Sequence, residues 1–213
     1  VDASAATAFG TVGAVEAVLT HSLTEAKTGR ALVHGCGAVG GTVAKTMIQH
    51  GWDVFTVDVD QKRAGLQGAT PVLASSPWWE LELDLLLPCS ISGLISLEMA
   101  NALQVNAIVP AANAPFQKPE IADDLRCRGI RVLPDPLVNA GAVIADSIER
   151  FSPKQWDKAT PQQVYDFVRN EVRQRAGDFL RQREDGLTVR DALVEVAAHT
   201  DKDPIGLSFG IAA

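Results

Sequence analysis

The feature that most restricts the fold of this chain is a glycine-rich turn at residues 35–40, Gly-Cys-Gly-Ala-Val-Gly. A short apolar run at residues 31–34 precedes the turn and a helical pattern follows it, which predicts a strand, a tight turn and a helix. In dinucleotide-binding turns of this kind, the first glycine permits the turn, the second admits a pyrophosphate beside the backbone, and the third lets the helix pack close to the strand. Free amides at the helix N-terminus attract the phosphates. The residues predicted to contact a cofactor here are Gly35, Gly37, Ala38, Val39 and Gly40.

An acidic residue supports the same interpretation. Asp58 follows a second apolar run at residues 54–57. Its distance from Gly35 along the sequence is close to the spacing of about 20 residues at which a carboxylate accepts hydrogen bonds from the adenosine ribose. Because a carboxylate also repels a 2′-phosphate, the sequence favours NAD over NADP. Lys62 and Arg63 follow soon after and are interpreted as solvated surface charges. The glycine pattern alone is equally consistent with ordinary strand-to-helix packing, and the strand context together with Asp58 favours dinucleotide binding.

The rest of the chain predicts an α/β fold. Short apolar runs alternate with helical patterns, so we predict a Rossmann-type, doubly wound, mostly parallel sheet with C-terminal helices. Residues 1–150 form the predicted NAD-binding domain, and residues 151–213 form a C-terminal helical segment. The NAD-binding domain is predicted to begin with an amphipathic helix at residues 5–23, whose apolar face carries Val12, Val15, Leu19 and Leu23. That segment is predicted to contain a long surface helix that begins at Thr160 and a last helix capped by Thr188. The predicted strands lie at residues 31–34, 54–57, 83–87, 107–109 and 130–133.

Composition argues against several other classes of protein. The net charge of −7 and the lack of a basic stripe argue against nucleic-acid binding, which needs clustered Lys and Arg. The apolar runs are far shorter than the roughly 20 residues of a membrane span, so no membrane role is expected. The three cysteines have no paired spacing, so neither a disulfide framework nor a metal site is predicted, and a cytoplasmic location fits best. Cys36, inside the turn, is interpreted as a small buried side chain rather than a reactive thiol.

Five segments, in the same order, resemble the glutamate, leucine, phenylalanine and valine dehydrogenase family, especially its leucine/phenylalanine-type branch. The first is Asp-Ala-Ser-Ala-Ala-Thr-Ala-Phe-Gly at residues 2–10, and the last and most specific is Pro-Asp-Pro-Leu-Val-Asn-Ala-Gly at residues 134–141. Between them lie the glycine-rich turn with Asp58, Pro-Cys-Ser at residues 88–90 and Ala-Ala-Asn at residues 111–113. The resemblance therefore spans most of the predicted NAD-binding domain.

The resemblance implies roles for individual residues. Thr7 is similar to the threonine that reaches the nicotinamide carboxamide, and Cys89 and Ser90 resemble the segment that lines the nicotinamide-side groove. Asn113 matches a nicotinamide contact, and Asn139 matches an asparagine that faces the amino-acid substrate. Each assignment has a plainer alternative, because asparagine and Pro-Asp are common in turns and Thr7 could simply cap the first helix.

The sequence also departs from the family pattern. The second asparagine of the family's Ala-Asn-Asn stretch is Ala114 here, followed by Pro115, and the second glycine after Asn-Ala-Gly is Ala142. The glycine-rich segment with two lysines and an aspartate, on which the family's chemistry depends, has no counterpart in this sequence. We therefore expect no catalytic residue in this chain, and we expect that the N-terminal substrate domain of the family is absent from it.

The implied reaction is NAD-dependent oxidative deamination of an L-amino acid to a 2-oxo acid and ammonia. The implied partners are the amino-acid substrate and an N-terminal catalytic domain, and assembly into a homo-oligomer is left open. A non-catalytic, NAD(H)-sensing regulatory module is the alternative, since it shares the glycine turn and the acid but needs neither Asn113 nor Asn139. A hydroxy-acid dehydrogenase would show a histidine with a nearby acid after the later strands, where the sequence has none; His34 and His50 are interpreted as core or capping residues.

Overall fold

The computed structural model describes residues 1–21, 28–182, 191 and 205–210. The strands of this part of the chain are β1 (Arg30–His34), β2 (Asp53–Val57), β3 (Ala69–Val72), β4 (Glu82–Pro88), β5 (Gln104–Ile108) and β6 (Arg131–Val132). They form one six-stranded sheet in the order β3-β2-β1-β4-β5-β6, and all neighbours are parallel. The chain thus starts in the middle of the sheet, extends it on one side and then crosses over to extend it on the other. This is the doubly wound order of a Rossmann fold, which confirms the predicted fold class.

Helices connect and cover the strands. Among the described residues they are, in chain order, α1 (Ala3–His21), α2 (Ala38–Gln49), α3 (Gln61–Ala64), α4 (Leu97–Ala102), α5 (Glu120–Cys127), α6 (Asp135–Val138), α7 (Gly141–Phe151), α8 (Pro153–Trp156) and α9 (Pro161–Gln182). Within the described residues, two short 3₁₀ helices lie at Trp78–Glu80 and Ile205–Ser208.

In the described part of the chain, one strand was not predicted from the sequence. The other strands overlap the predicted apolar runs, whereas β3, Ala-Thr-Pro-Val, is short and only half-buried. Its proline, Pro71, pairs with Thr56 of β2 and has no backbone amide to donate to a further strand. The strand lies at the edge of the sheet, the position in which a proline is tolerated.

Both faces of the sheet are covered. Ala31 and Val33 of β1 join a core that includes residues of α1, α2, α7 and α9, whereas Leu32 joins a second core with residues of α4 and α5. Because the central strands are buried on both sides, they read in the sequence as continuous apolar runs rather than as alternating patterns. The loops at the carboxyl ends of the strands therefore remain as the accessible edge of the sheet.

Helix α1 differs from the predicted amphipathic helix. It is buried on most sides, because α2, α7 and α9 pack against it from different directions. A Cβ atom at Gly13 would overlap the carbonyl oxygen of Arg169, so α1 and α9 cross in close contact. Beside this crossing, the Arg169 side chain donates a hydrogen bond of 3.0 Å to Glu16. Leu23, which was predicted on the apolar face of this helix, lies outside the described residues.

The composition of α1 also qualifies the expectation about membranes. By length and hydropathy alone, this helix could cross a membrane. Core helices of water-soluble domains share this length and hydropathy, and 56% of the apolar stretch of α1 is buried within the protein. Its packing against α2 and α9 accounts for its apolar composition.

Helix α9 confirms the predicted long helix. The Thr160 amide donates to Oε1 of Gln163 at 2.8 Å, and the Gln163 amide donates to Oγ1 of Thr160 at 3.4 Å, which is a reciprocal cap. One face of the helix is buried, and it includes Val164, Val168, Val172, Ala176 and Phe179. The predicted helix after Thr188 lies outside the described residues.

Candidate functional site

The glycine-rich turn joins β1 to α2 at the carboxyl edge of the sheet. Gly35 has a φ of +93°, and a Cβ atom there would lie 2.6 Å from the Cβ of Ser90. A Cβ at Gly40 would overlap the Gly35 carbonyl oxygen and lie 2.9 Å from the Cβ of Cys89. A Cβ at Gly37, in contrast, would meet no atom within 4 Å. Packing within the protein therefore requires glycine at positions 35 and 40, whereas the space beside Gly37 is open to a ligand.

The amides that begin α2 are available at this turn. Gly37 is the N-cap of this 12-residue helix, and no side chain caps it. The Gly41 amide donates the first hydrogen bond of the helix, to the Gly37 carbonyl at 2.8 Å. The amides of Ala38, Val39 and Gly40 precede that bond and point out of the helix N-terminus. Such a group of amides is suited to binding a pyrophosphate.

Asp58 lies immediately after β2 and is tied to the same turn. The residue is only 7% exposed, and its carboxylate accepts hydrogen bonds from the Cys36 amide at 2.7 Å and from the Asp60 amide at 2.8 Å. Burial by itself would raise the pKa of Asp58, but these two hydrogen bonds, together with the charges of Arg63 and His34, lower the pKa below its usual value. Asp58 is therefore ionised at neutral pH.

The two cations after Asp58 lie on the surface. Arg63 is mostly exposed, and its Nε lies 3.6 Å from a carboxylate oxygen of Asp60. The backbone amide of Lys62 donates to Asp60 at 3.0 Å, so Asp60 caps the short helix α3. The side chain of Arg63 is thus paired with Asp60 at the start of this helix.

His34 contributes more to this region than the sequence indicated. Its Nδ1 and the Oγ of Ser90 are joined by a hydrogen bond of 2.8 Å, and its ring centroid lies 4.8 Å from that of Trp78. Burial lowers the pKa of His34, although its own backbone hydrogen bond and the charge of Asp58 act in the opposite direction. The histidine therefore holds the Ser90 hydroxyl beside Gly35. The one sequence signal for this role was that His34 directly precedes the glycine turn.

The cysteines of this region are neutral thiols. Burial, and after it the charge of Asp58, raises the pKa of Cys36 to about 11. Burial, and after it the neighbouring Cys36, raises the pKa of Cys89 to about 12. Cys36 is buried, as predicted, and neither thiol is an effective nucleophile at neutral pH. Among the described residues, no group of three His, Cys, Asp or Glu side chains is arranged to hold a metal ion.

The loops after β5 and β6 meet at the other end of the carboxyl edge. The Asn139 side chain donates from Nδ2 to Oδ1 of Asn113 at 2.7 Å and to the Ala111 carbonyl at 3.4 Å. The backbone amide of Ala114 donates to Oδ2 of Asp135 at 2.9 Å. The structure thus brings Asn113 and Asn139 together. It adds Asp135, which the sequence prediction named only as part of a longer segment.

Thr7 lies inside α1 and does not cap it. The cap is Asp2, whose Oδ1 accepts the Ala5 amide at 2.7 Å, so the simple capping alternative for Thr7 is wrong. The Thr7 hydroxyl donates to the Ala3 carbonyl at 2.9 Å. A Cβ at Gly141 would lie 2.8 Å from the Thr7 Cα, so the start of α7 contacts α1 at this threonine. Thr7 is therefore close to the loop that carries Asn139.

Comparison with known proteins identifies the family. The family model described as glutamate/leucine/phenylalanine/valine dehydrogenase matches residues 58–200, which is more than half of the chain. The chain belongs to this family. The matched region begins at Asp58 and includes Asn113, Asp135 and Asn139, which confirms the resemblance found in the sequence. The family is one of amino-acid dehydrogenases.

Individual relatives match parts of their length. The phenylalanine dehydrogenase of Lysinibacillus sphaericus is 29% identical over 164 residues, which cover 72% of this chain and 43% of the relative. The NADP-specific glutamate dehydrogenase A1 of Halobacterium salinarum is 29% identical over 145 residues, which cover 58% of this chain and 34% of the relative. The chain therefore spans less than half the length of these relatives. The crystal structure of L-tryptophan dehydrogenase from Nostoc punctiforme shares the fold, with a TM-score of 0.79 at 23% identity over 93% of this chain and 60% of that one.

Proposed function

We propose that this chain is the NAD-binding half of an amino-acid dehydrogenase that converts an L-amino acid to a 2-oxo acid and ammonia. The observation that carries the proposal is the open space beside Gly37, bordered by the first amides of α2 and by the buried carboxylate of Asp58. A pyrophosphate fits the amides and a ribose fits the carboxylate. Membership of the dehydrogenase family supports the reaction class.

Apolar side chains flank this space in a way that suits an adenine ring. Val59, directly after Asp58, is 92% exposed, and Ile91, in the loop after β4, is 64% exposed. Because β2 and β4 lie on either side of β1, these side chains border the carboxyl edge next to the glycine turn. An adenine ring that packs against them would cover apolar surface otherwise left in water.

We propose NAD rather than NADP as the cofactor. Asp58 is ionised, and a 2′-phosphate beside it would meet a buried negative charge. Arg63, one of the two cations that follow Asp58 in the sequence, is paired with Asp60. Since a relative is NADP-specific, the selectivity has to be measured for this chain.

The residues of this chain would bind and orient rather than perform proton transfer. Thr7, Cys89, Ser90 and Asn113 would hold the nicotinamide end, and Asn139 would face the amino acid. The chemistry supplied by a bound nicotinamide is acceptance of a hydride from the substrate α-carbon. The lysines and the aspartate of the family's chemistry would come from the N-terminal substrate domain. We therefore expect that the 213-residue chain alone binds NADH but oxidises no amino acid.

The test is a calorimetric titration of the 213-residue chain with NADH and with NADPH. We expect NADH to bind more tightly than NADPH by at least about tenfold, because the 2′-phosphate of NADPH would lie beside the buried carboxylate of Asp58. The Asp58→Ala variant should bind NADH more weakly and lose most of this preference. The control variant is Asp124→Ala, which removes an exposed carboxylate on α5. No binding of either nucleotide by the wild-type chain would contradict the proposal, and equal affinities would contradict the choice of NAD.

A further inference from the structure

Ala114 has a backbone conformation that its side chain does not favour. Its φ is +43°, in the left-handed region, and it is the non-glycine residue with positive φ in the described part of the chain. An alanine in this conformation brings Cβ close to its own carbonyl oxygen and is less stable than in the right-handed region. Ala114 is exposed, so burial of its side chain does not compensate. Other contacts must hold the turn in place.

Those contacts come from two other loops. The Ala114 amide donates to Oδ2 of Asp135, at the start of α6, at 2.9 Å. The Ala114 carbonyl accepts from the Gly93 amide, in the loop after β4, at 2.8 Å. Both peptide groups that flank the Cα of Ala114 are therefore fixed, one by a side chain and one by the backbone. Removal of the Asp135 carboxylate would release the group that joins Ala114 to Asn113.

The orientation of Asn113 depends on the same turn. Its Oδ1 accepts from Nδ2 of Asn139 at 2.7 Å, which directs its own Nδ2 away from Asn139. Asn113 is exposed at the carboxyl edge of the sheet, so this NH₂ group can donate to a ligand. A carboxamide oxygen is an acceptor of the matching kind.

We propose that Asp135 is a positioning residue for the nicotinamide end of the cofactor. By accepting the Ala114 amide, it holds the turn that aims the Asn113 NH₂ group at the nicotinamide carboxamide. In this proposal Asp135 acts through the Ala114 turn and not by contact with the cofactor. The inference rests on the proposed function, because it presupposes that the chain binds a nicotinamide dinucleotide.

The test compares two ligands that differ only at the end of interest. NADH carries the nicotinamide and ADP-ribose lacks it, and both are titrated into the 213-residue chain by calorimetry. For Asp135→Ala we expect NADH affinity to fall about tenfold, whereas ADP-ribose affinity changes less than about twofold. A general loss of structure would weaken both ligands. The control Asp124→Ala should change neither affinity.

Two further variants connect the effect to the turn. Asn113→Ala, a change at an exposed position, should give the same selective loss of NADH affinity, and Asp135→Ala combined with Asn113→Ala should give little more than either alone. Combination of Asp135→Ala with Ala114→Gly should restore part of the affinity, because glycine adopts the left-handed conformation without strain. If Asp135→Ala by itself does not fold, Asn113→Ala and the combination of Asp135→Ala with Ala114→Gly still test the proposal.

Several outcomes would overturn the inference. They are an equal loss for both ligands in Asp135→Ala, full additivity with Asn113→Ala, or equal affinity of the wild-type chain for NADH and ADP-ribose. Binding of ADP-ribose by the wild type, with no selective effect of Asp135, would leave the cofactor-binding proposal standing and refute the positioning role. Binding of neither ligand would refute both.

Discussion

The two ends of the carboxyl edge are held by different kinds of interaction. At the end formed by β1 and β2, the backbone itself makes the site: glycines permit contacts that no side chain could fit, and Asp58 accepts two backbone amides. At the end formed by β5 and β6, side chains from separate loops bond to one another, as Asn139 does to Asn113, and a carboxylate holds a strained alanine.

This difference determines how each end should tolerate substitution. Where two backbone segments are in close contact, an added methyl group causes a clash, because neither segment can move away. A hydrogen bond between exposed or half-buried side chains contributes only about 1 kcal/mol, and its loss leaves the fold intact. Mutations at the first end should therefore affect folding or binding strongly, and mutations at the second should have small and selective effects.

The largest expected effect is that of Gly40→Ala. In a helix, alanine is normally more stable than glycine by about 1 kcal/mol. Here its Cβ would overlap the Gly35 carbonyl oxygen, so the clash outweighs this preference and the substitution destabilises the fold. We expect a loss of about 4 kcal/mol or more in the free energy of unfolding. Urea denaturation followed by circular dichroism measures it. An unchanged unfolding midpoint would show that β1 and α2 can separate without loss of stability.

Gly37→Ala is the matched change three residues away. A Cβ here meets no protein atom within 4 Å, and the φ of −70° suits alanine, so the stability should change by less than about 1 kcal/mol. The methyl group would occupy the space proposed for the pyrophosphate, and NADH affinity should fall more than about tenfold. Calorimetry together with a melting curve separates the two quantities. Unaltered NADH binding would place the phosphates elsewhere.

The contrast between these glycines shows what could be predicted from the sequence. The glycine spacing predicts the turn because the geometry of a strand, turn and helix is local. The remaining segments of the site were predicted from their resemblance to the family. Strand β3 could not be predicted, because four residues that include Pro71 give no apolar run. The burial of α1 on most sides could not be predicted either. The helix consists largely of small residues, and it is covered by α9, which lies in a distant part of the sequence.

At both ends of the carboxyl edge, contacts between segments that are distant in the sequence could not be predicted. Asp58 was found by its distance from the glycines, but its hydrogen bond to Cys36 was not, since it depends on how β2 lies beside the turn. Asp135 and Ala114 are 21 residues apart in the sequence, and nothing in either segment indicates that they bond. Only the parallel pairing of β5 with β6 brings their loops together.

Asp58→Asn should have an intermediate effect that depends on pH. Asparagine can accept one of the two amides but presents an NH₂ group to the other, so we expect a loss of about 2 kcal/mol near pH 7. Because the folded-state pKa of Asp58 is lowered, its contribution to stability is complete above the usual value of 3.8 and is lost as the pH falls through the folded-state pKa. Urea unfolding of wild type and variant at pH 7 and at pH 3 should show the difference between them shrink in acid. A constant difference would mean that the Asp58 charge does not stabilise the turn.

Ala114→Gly should have the smallest effect and the opposite sign. Glycine adopts a φ of +43° without the Cβ contact that strains alanine, which favours the folded state by about 1 kcal/mol, but glycine also gives the unfolded chain more freedom. The net gain should therefore be a few tenths of a kcal/mol in the free energy of unfolding, with NADH affinity unchanged while Asp135 is present. Ala114→Asn is the matched control, because asparagine tolerates the left-handed region while keeping a Cβ. If both variants destabilise the chain, the alanine is not strained, and the hydrogen bond from its amide to Asp135 would be a consequence of the turn rather than the contact that holds it.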